Sequence, residues 1–333
     1  MGELADRRAS TVIRIADIHG RLKAAEALAQ GKACVFATGS FGRREAGAHS
    51  DLDLFIVGKS DGTPGSDGKE GSLLNRLDEI CIKADLIEVI RKLKIPDFSG
   101  DGRYLTHHSV HEFTKTLGTP EDDVTNTFTA RLLLLLESCP LLESTVYREV
   151  TEEVIAAYWR DYQDHKMNFM PAFLANDILR LWRTFCVNYE ARTERVPDEE
   201  KAKGKLKNYK LKHSRLLTCY SGLLYLLAVY VAQQTVSPSD AMTMISLTPT
   251  ERLEWLLNRT ELAQAHVAIR RLLDQYERFL ETTTVDEKDL VSRFMDKAKS
   301  QTYMNAAHKF GDLVFEVLNS IGSGNQFHRL LVV

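Results

Sequence analysis

The chain has 333 residues, of which 44% are hydrophobic and 27% charged, with a formal net charge of −3. That is the composition of an ordinary globular protein, long enough for two domains or for one large domain with a helical extension. The near balance of charge excludes a global pull toward nucleic acid or membrane, so any polyanion site is a local patch.

The opening residues, Met1 to Arg8, have no apolar core after their charges, so no secretory leader is expected. Asp6 stands where a myristoylation motif after Gly2 requires Ser or Thr. The apolar runs Leu132–Leu136 and Leu223–Ala232 fall short of the ~20 residues that span a bilayer. Five scattered cysteines without a Cys-x-x-Cys pair support neither disulfides nor zinc. A cytoplasmic protein without membrane attachment is expected.

In chain order, Ser10 is placed to cap a helix with its apolar face at Ile13, Leu22, Ala25 and Leu28, closing at Gly31. Ala33–Thr38 is a short apolar run that reads as a buried strand. A glycine-containing loop leads to a second strand, Leu52–Val57. Residues 58–71 hold five glycines and a proline and read as a flexible surface loop. Helical spacing returns at Leu73 and stops near Lys94. Ile95–Phe98 and Arg103–Val110 read as short strands. Pro120 opens a helix through Glu137, and Pro140 ends it. Further helices fit 144–165, 171–192, 205–235, 249–258, 260–282 and 287–320. The expected architecture is an α/β domain over residues 1–115, a mixed sheet with flanking helices, followed by an all-helical domain over 116–333.

The chemistry concentrates between the first two strands, in Gly39-Ser40-Phe41-Gly42-Arg43-Arg44-Glu45, followed by Ser50-Asp51-Leu52-Asp53-Leu54. Residues i and i+2 of a strand share a face, so Asp51 and Asp53 present two carboxylates side by side, with Leu52 and Leu54 packed behind. Adjacent anions repel unless a cation sits between them, and hard oxygen ligands favour Mg²⁺, whose shell is completed by water and phosphate. Gly39 lets the backbone approach a phosphate, and the Ser40 hydroxyl is a donor to its oxygens. Arg43 and Arg44 stand where they would clamp phosphates, Arg43 being the stronger candidate. Metal-bridged phosphates and an aligned in-line displacement are what nucleotidyl transfer needs.

Gly39-Ser40, ten residues, then Asp51-Leu52-Asp53 resembles the defining motif of the DNA-polymerase-β-like nucleotidyltransferase superfamily. The fuller string is similar to the nucleotidyltransferase domain of bacterial PII-uridylyltransferases, over about residues 30–100, and stand-alone bacterial nucleotidyltransferases are further comparisons. The chain is too short for the uridylyltransferases' phosphohydrolase and regulatory domains. The resemblance implies that Gly39 and Ser40 contact the triphosphate of an NTP while Asp51 and Asp53 bind Mg²⁺. It also implies a third carboxylate on a later strand, as metal ligand and general base. Asp97 is the first choice because it sits in a short apolar run at the right place, and Asp101 is the rival.

His107, His108 and His111 cluster without the spacing of a metal site. Arg160 and His165 are similar to the Arg-x4–6-His motif of HEPN-type ribonucleases, which leaves a helical ribonuclease as one alternative. A non-catalytic nucleotide-binding module is the other. In helix 171–192, Asp177 and Arg180 are i, i+3 neighbours that either pair or line a cleft above the nucleotide. The run Lys201, Lys203, Lys205, Lys207, Lys210, Lys212 and Arg215, with Tyr209 and His213, is either a solvated helix face or the contact to an RNA or protein acceptor.

Overall fold

The computed structural model describes residues 2–64, 70–98, 102, 105–191 and 198–333. Two compact units divide the chain, Glu3–Arg160 and Asp161–Val333. The first is mixed α/β with a small mixed sheet, and the second is helical throughout its described residues.

The first unit begins with helices α1 (Glu3–Arg21) and α2 (Lys23–Ala29), then strand β1 (Ala33–Thr38), a single helical turn α3 (Gly39–Gly42) and strand β2 (Asp53–Gly58). A small hairpin follows, β3 (Ser60–Pro64) and β4 (Glu70–Ser72), then α4 (Arg76–Lys92), β5 (His107–Ser109) and α5 (Val110–Lys115). The unit closes with α6 (Glu121–Val124), α7 (Thr127–Glu137), β6 (Cys139–Leu142) and α8 (Ser144–Tyr158). The sheet order is β5-β2-β1-β6, with β2 and β5 parallel and the other neighbours antiparallel.

Strand β1 is buried on both faces, as its unbroken apolar run requires. Ala33, Val35 and Ala37 join Ile18, Leu22 and Ala25 and the inner face of α4, Ile82, Leu86 and Ile90. On the opposite face Phe36 packs against Phe55 and Tyr147.

Several elements differ from the sequence reading. Ser10 lies inside α1 and donates to the Arg7 carbonyl at 3.1 Å rather than capping a helix, and the expected helix breaks at Leu22. The described part of 58–71 carries the β3–β4 hairpin. Ile95–Phe98 is no strand. Lys94 takes a left-handed φ of 56°, and the N–H groups of Lys94 and Ile95 donate back to Arg91 and Ile90, closing α4 with a Schellman motif. Ile95 is buried because it is the apolar contact of that cap. Of Arg103–Val110 only His107–Ser109 is strand, while Arg103 and Tyr104 lie outside the described residues.

The expected helix 120–137 is two helices, broken at Asn126, whose φ is 59°. The break lets Asp122 fold back onto Arg131, both fully buried. The guanidinium donates to the two carboxylate oxygens at 2.8 and 2.6 Å and to the Tyr158 hydroxyl at 3.1 Å. Pro140 does not merely end a helix. It sits in edge strand β6, where a missing N–H is tolerated. With β6 paired to β1, the boundary between units falls after Arg160 rather than after residue 115.

The second unit comprises α9 (Ala172–Glu190), α10 (Asp198–Lys210), a π-turn at Leu211–Arg215, α11 (Leu216–Gln233), α12 (Pro238–Ser246), α13 (Pro249–Leu257), α14 (His266–Thr282), α15 (Glu287–Met295), α16 (Lys297–Gly322) and α17 (Gln326–Val332). Helix α11 is buried on nearly every face, with α9, α12, α13, α16 and α17 packed around it. Asp198–Gln233 is one continuous 36-residue helical span, long and apolar enough to cross a bilayer, yet 78% of its apolar window is buried within the protein.

At the π-turn the buried His213 ring stacks on Phe279 at 4.7 Å and Nε2 has no hydrogen-bond partner among the described residues, while Nδ1 meets the Tyr209 carbonyl at 2.8 Å. Burial pushes its pKa down to about 4, so the neutral ring is the folded form. The stability this adds is fully present above the unfolded-state value near 6.5 and is lost as pH falls toward 4. Urea unfolding of wild type should therefore lose on the order of 3 kcal/mol between pH 7 and 4 through this ring. His213→Phe should show a correspondingly shallower pH dependence; an identical slope would show that the ring does not titrate in this way.

Candidate nucleotide site

Antiparallel pairing of β1 and β2 sets Thr38 opposite Asp53, which brings the residue after β1 against the first carboxylate of β2. Gly39 takes a φ of +63°, and a Cβ there would lie 2.9 Å from Asp53 Oδ2. The left-handed φ favours glycine, and a side chain there would push the Asp53 carboxylate aside. From Gly39 the chain makes one helical turn. The Arg44 and Glu45 N–H groups donate to the Phe41 and Ser40 carbonyls, the two bonds of a Schellman motif, with Arg44 left-handed at φ 58°.

The turn is braced by buried charge. The Glu137 carboxylate accepts from the Gly39 N–H at 3.2 Å and from Arg43 Nη1 at 2.7 Å. Arg43 Nε donates to Glu45 at 3.0 Å, and all three side chains are buried. Gly42 has no room for a Cβ, which would overlap the Glu137 carbonyl. Helix α1 holds the next stretch: the Ala46 N–H donates to Thr11 at 2.9 Å and Arg14 donates to the Gly47 carbonyl at 2.8 Å. The Arg14 guanidinium lies 4.6 Å from the centre of the Phe41 ring. A cavity of about 570 Å³ opens at this end of the loop, between Arg7, Arg14, Gly47 and Lys94.

Asp51 and Asp53 are exposed, while Leu52 and Leu54 are buried; β2 begins at Asp53, so Asp51 lies two residues before the strand rather than opening it. Asp51 makes no ion pair among the described residues, and the half-buried Ser40 hydroxyl has no partner within the chain among those residues. Gly39, Ser40, Asp51 and Asp53 are thus gathered at one end of the β1–β2 hairpin.

Two sequence candidates are placed elsewhere or otherwise engaged, and a third cannot be placed. Arg43 braces the turn from within and does not face solvent. Asp97 lies after α4, exposed, and takes 2.8 and 3.0 Å hydrogen bonds from Arg91, which hold its carboxyl below the usual range. Asp101 lies outside the described residues. No third His, Cys, Asp or Glu joins Asp51 and Asp53 in a metal-holding group among the described residues. Two carboxylates still fit Mg²⁺, which habitually fills its shell with water and substrate phosphate.

The histidines serve the fold. His107 Nε2 lies 3.0 Å from Ser72 Oγ and its Nδ1 3.3 Å from Glu79, tying β4, β5 and α4 together. Burial lowers its pKa, with Glu79 opposing in part. Burial would raise the Glu79 carboxyl, but hydrogen bonds from Lys83 and Arg76 bring it below its ordinary value. Arg160 and His165 follow the end of α8 in a turn rather than sharing a helix. Asp177 is buried and pairs with Arg180 at 3.9 Å. The basic run is divided: Tyr209 and His213 are core, Lys203 pairs with Glu199 and Glu200, and Arg215 stacks on Phe185 at 5.3 Å. Glu137 is the residue sequence reasoning missed. Its only signal is a charge at the end of an otherwise apolar helix.

No known protein family and no curated protein matches the chain.

Glu137→Gln should remove about 2–3 kcal/mol of stability in urea unfolding, because the buried Arg43 keeps only part of its counter-charge. A loss under about 0.5 kcal/mol would sink the brace, since that is the scatter of ordinary surface changes. Arg44→Gly should instead raise stability by about 0.5–1 kcal/mol, because glycine occupies the left-handed position without the Cβ penalty. A destabilised Arg44→Gly protein would mean that the side chain holds more than the backbone costs.

Proposed function

We propose that the chain is a Mg²⁺-dependent nucleotidyltransferase of the DNA-polymerase-β-like type, moving a nucleoside monophosphate from an NTP to a hydroxyl-bearing acceptor. The observation that carries this reading is the packing of the Gly39 turn against Asp53, with Asp51 beside it and both carboxylates exposed. A glycine-built turn with an unpartnered Ser40 hydroxyl receives phosphate oxygens, and the carboxylate pair receives the cation that accompanies them. When bound, Mg²⁺ neutralises the triphosphate and the charge that develops on the leaving pyrophosphate.

In the reaction an acceptor oxygen attacks the α-phosphorus. The bond to the bridging oxygen of the β-phosphate breaks, that oxygen keeps the electron pair, and the acceptor proton passes to a base. This chain's residues hold the reactants in line: Ser40 and the turn on one side, Asp51 and Asp53 on the other. The buried Glu137–Arg43 pair keeps the turn in place before substrate arrives, so little reorganisation remains at the reacting centre.

Asp51→Asn and Asp53→Asn are nearly isosteric, so melting in metal-free buffer should hold or rise slightly as carboxylate repulsion is removed. Transfer from labelled NTPs to a cell extract should fall roughly 100-fold or more. Asp97→Asn should leave transfer within a few-fold of wild type, since its carboxylate serves Arg91. Asp101→Asn tests the remaining sequence candidate for the third carboxylate. A folded Asp51 or Asp53 variant with wild-type transfer would overturn the reading.

A further inference from the structure

We propose that the cleft between α9 and α17 binds a small phosphate-bearing molecule with an apolar or aromatic body. The cleft measures about 800 Å³ and belongs wholly to the helical unit, so the inference stands apart from the nucleotidyltransferase reading. Its volume falls in the range of small-molecule sites.

Three guanidinium side chains line it, Arg180 and Arg183 from α9 and Arg329 from α17, and no Asp or Glu side chain does. Arg180 and Arg183 are i, i+3 neighbours and so project from one helix face. Arg180 has a long 3.9 Å contact with the buried Asp177. Arg183 and Arg329 are exposed and have no ion-pair partner among the described residues. With Arg180 already facing Asp177, the two like charges of Arg183 and Arg329 in one cleft call for a counter-anion. A doubly charged phosphate monoester answers more of that charge than a carboxylate, and the guanidinium fork matches its oxygens in pairs.

The rest of the lining suits the body of the ligand. Leu179 and Leu330 give an apolar wall, and Val187 is left 65% exposed beside them. Asn188 supplies an amide for a polar edge. The neighbouring cleft of about 560 Å³, between α9 and α10, makes the contrast. It too is basic, but it contains Glu200, and its Lys203 is already paired with Glu199 and Glu200. Between α9 and α17 Arg183 and Arg329 have no such partner among the described residues.

The test is calorimetric titration of the full chain in EDTA, where the metal-dependent nucleotide site is silent and its failure cannot be confused with failure here. The probes are pyrophosphate, phenyl phosphate and adenosine 5′-monophosphate. Phenyl phosphate and the nucleotide should bind, and more tightly than pyrophosphate, because they fill the apolar wall as well. The double variant Arg183→Ala/Arg329→Ala should bind about tenfold more weakly or worse, with its ligand-free melting unchanged. The corresponding Arg→Lys double variant should fall between, keeping charge and losing the fork. Equal binding by the alanine double variant, or no binding of any probe at millimolar concentration, would overturn the proposal. So would tighter, steeply salt-dependent binding of a short single-stranded RNA, which would make the face a track for nucleic acid.

Discussion

The geometry of the candidate site hangs on one buried carboxylate. Glu137 accepts from the backbone of Gly39 and from the guanidinium of Arg43, residues 98 and 94 positions away in sequence. It stands at the last position of α7, immediately before β6 runs back along β1. The same few residues therefore close a helix, enter the sheet and fix the glycine turn. An interior ion pair of this kind adds little net stability, since desolvation offsets most of the attraction. What it supplies is a single conformation, because leaving any member unpaired inside the core is costly.

That dependence explains which parts of the site were legible in the sequence. The glycine turn and the carboxylate pair are local: Gly39 follows a buried apolar run, and Asp51 and Asp53 alternate with Leu52 and Leu54. Short-range periodicity carries such information. Glu137 and β6 are not local. The apolar stretch before Glu137 belongs to a helix, and Pro140 reads as a breaker until the strand is known to lie at an edge. Arg43 looked available for phosphate because nothing nearby in sequence announces its distant partner. The sequence shows the charge, and only the fold shows where it is spent.

The misread segment at Ile95–Phe98 has a different cause. An isolated apolar residue between Lys94 and Pro96 has the composition of a strand end, but α4 closes there through two backbone bonds and uses Ile95 as its apolar plug. Both Schellman motifs of this unit place a cation rather than glycine at the left-handed position, Arg44 in one and Lys94 in the other. The usual glycine signal for a helix end is therefore missing at both. In the helical unit, periodicity found most of the long helices, yet it could not separate a solvated face from a buried one within 201–215. There the chain passes through a π-turn that rotates His213 into an aromatic cage.

The two kinds of charge in the first unit are handled in opposite ways, and the contrast bears on the proposed chemistry. Arg43, Glu45, Glu137, Arg131 and Asp122 are buried among partners at hydrogen-bond distance, where they fix backbone. Asp51 and Asp53 are exposed at the mouth of the hairpin. Two exposed carboxylates in high dielectric repel only weakly and hold a divalent cation only weakly. Mg²⁺ dehydrates reluctantly and keeps open positions for phosphate oxygens. On the proposed reading, cation and triphosphate then occupy this mouth together, each supplying ligands or charge that the other lacks. The rigid, internally paired turn contributes the part of the site that needs no ligand to be in place.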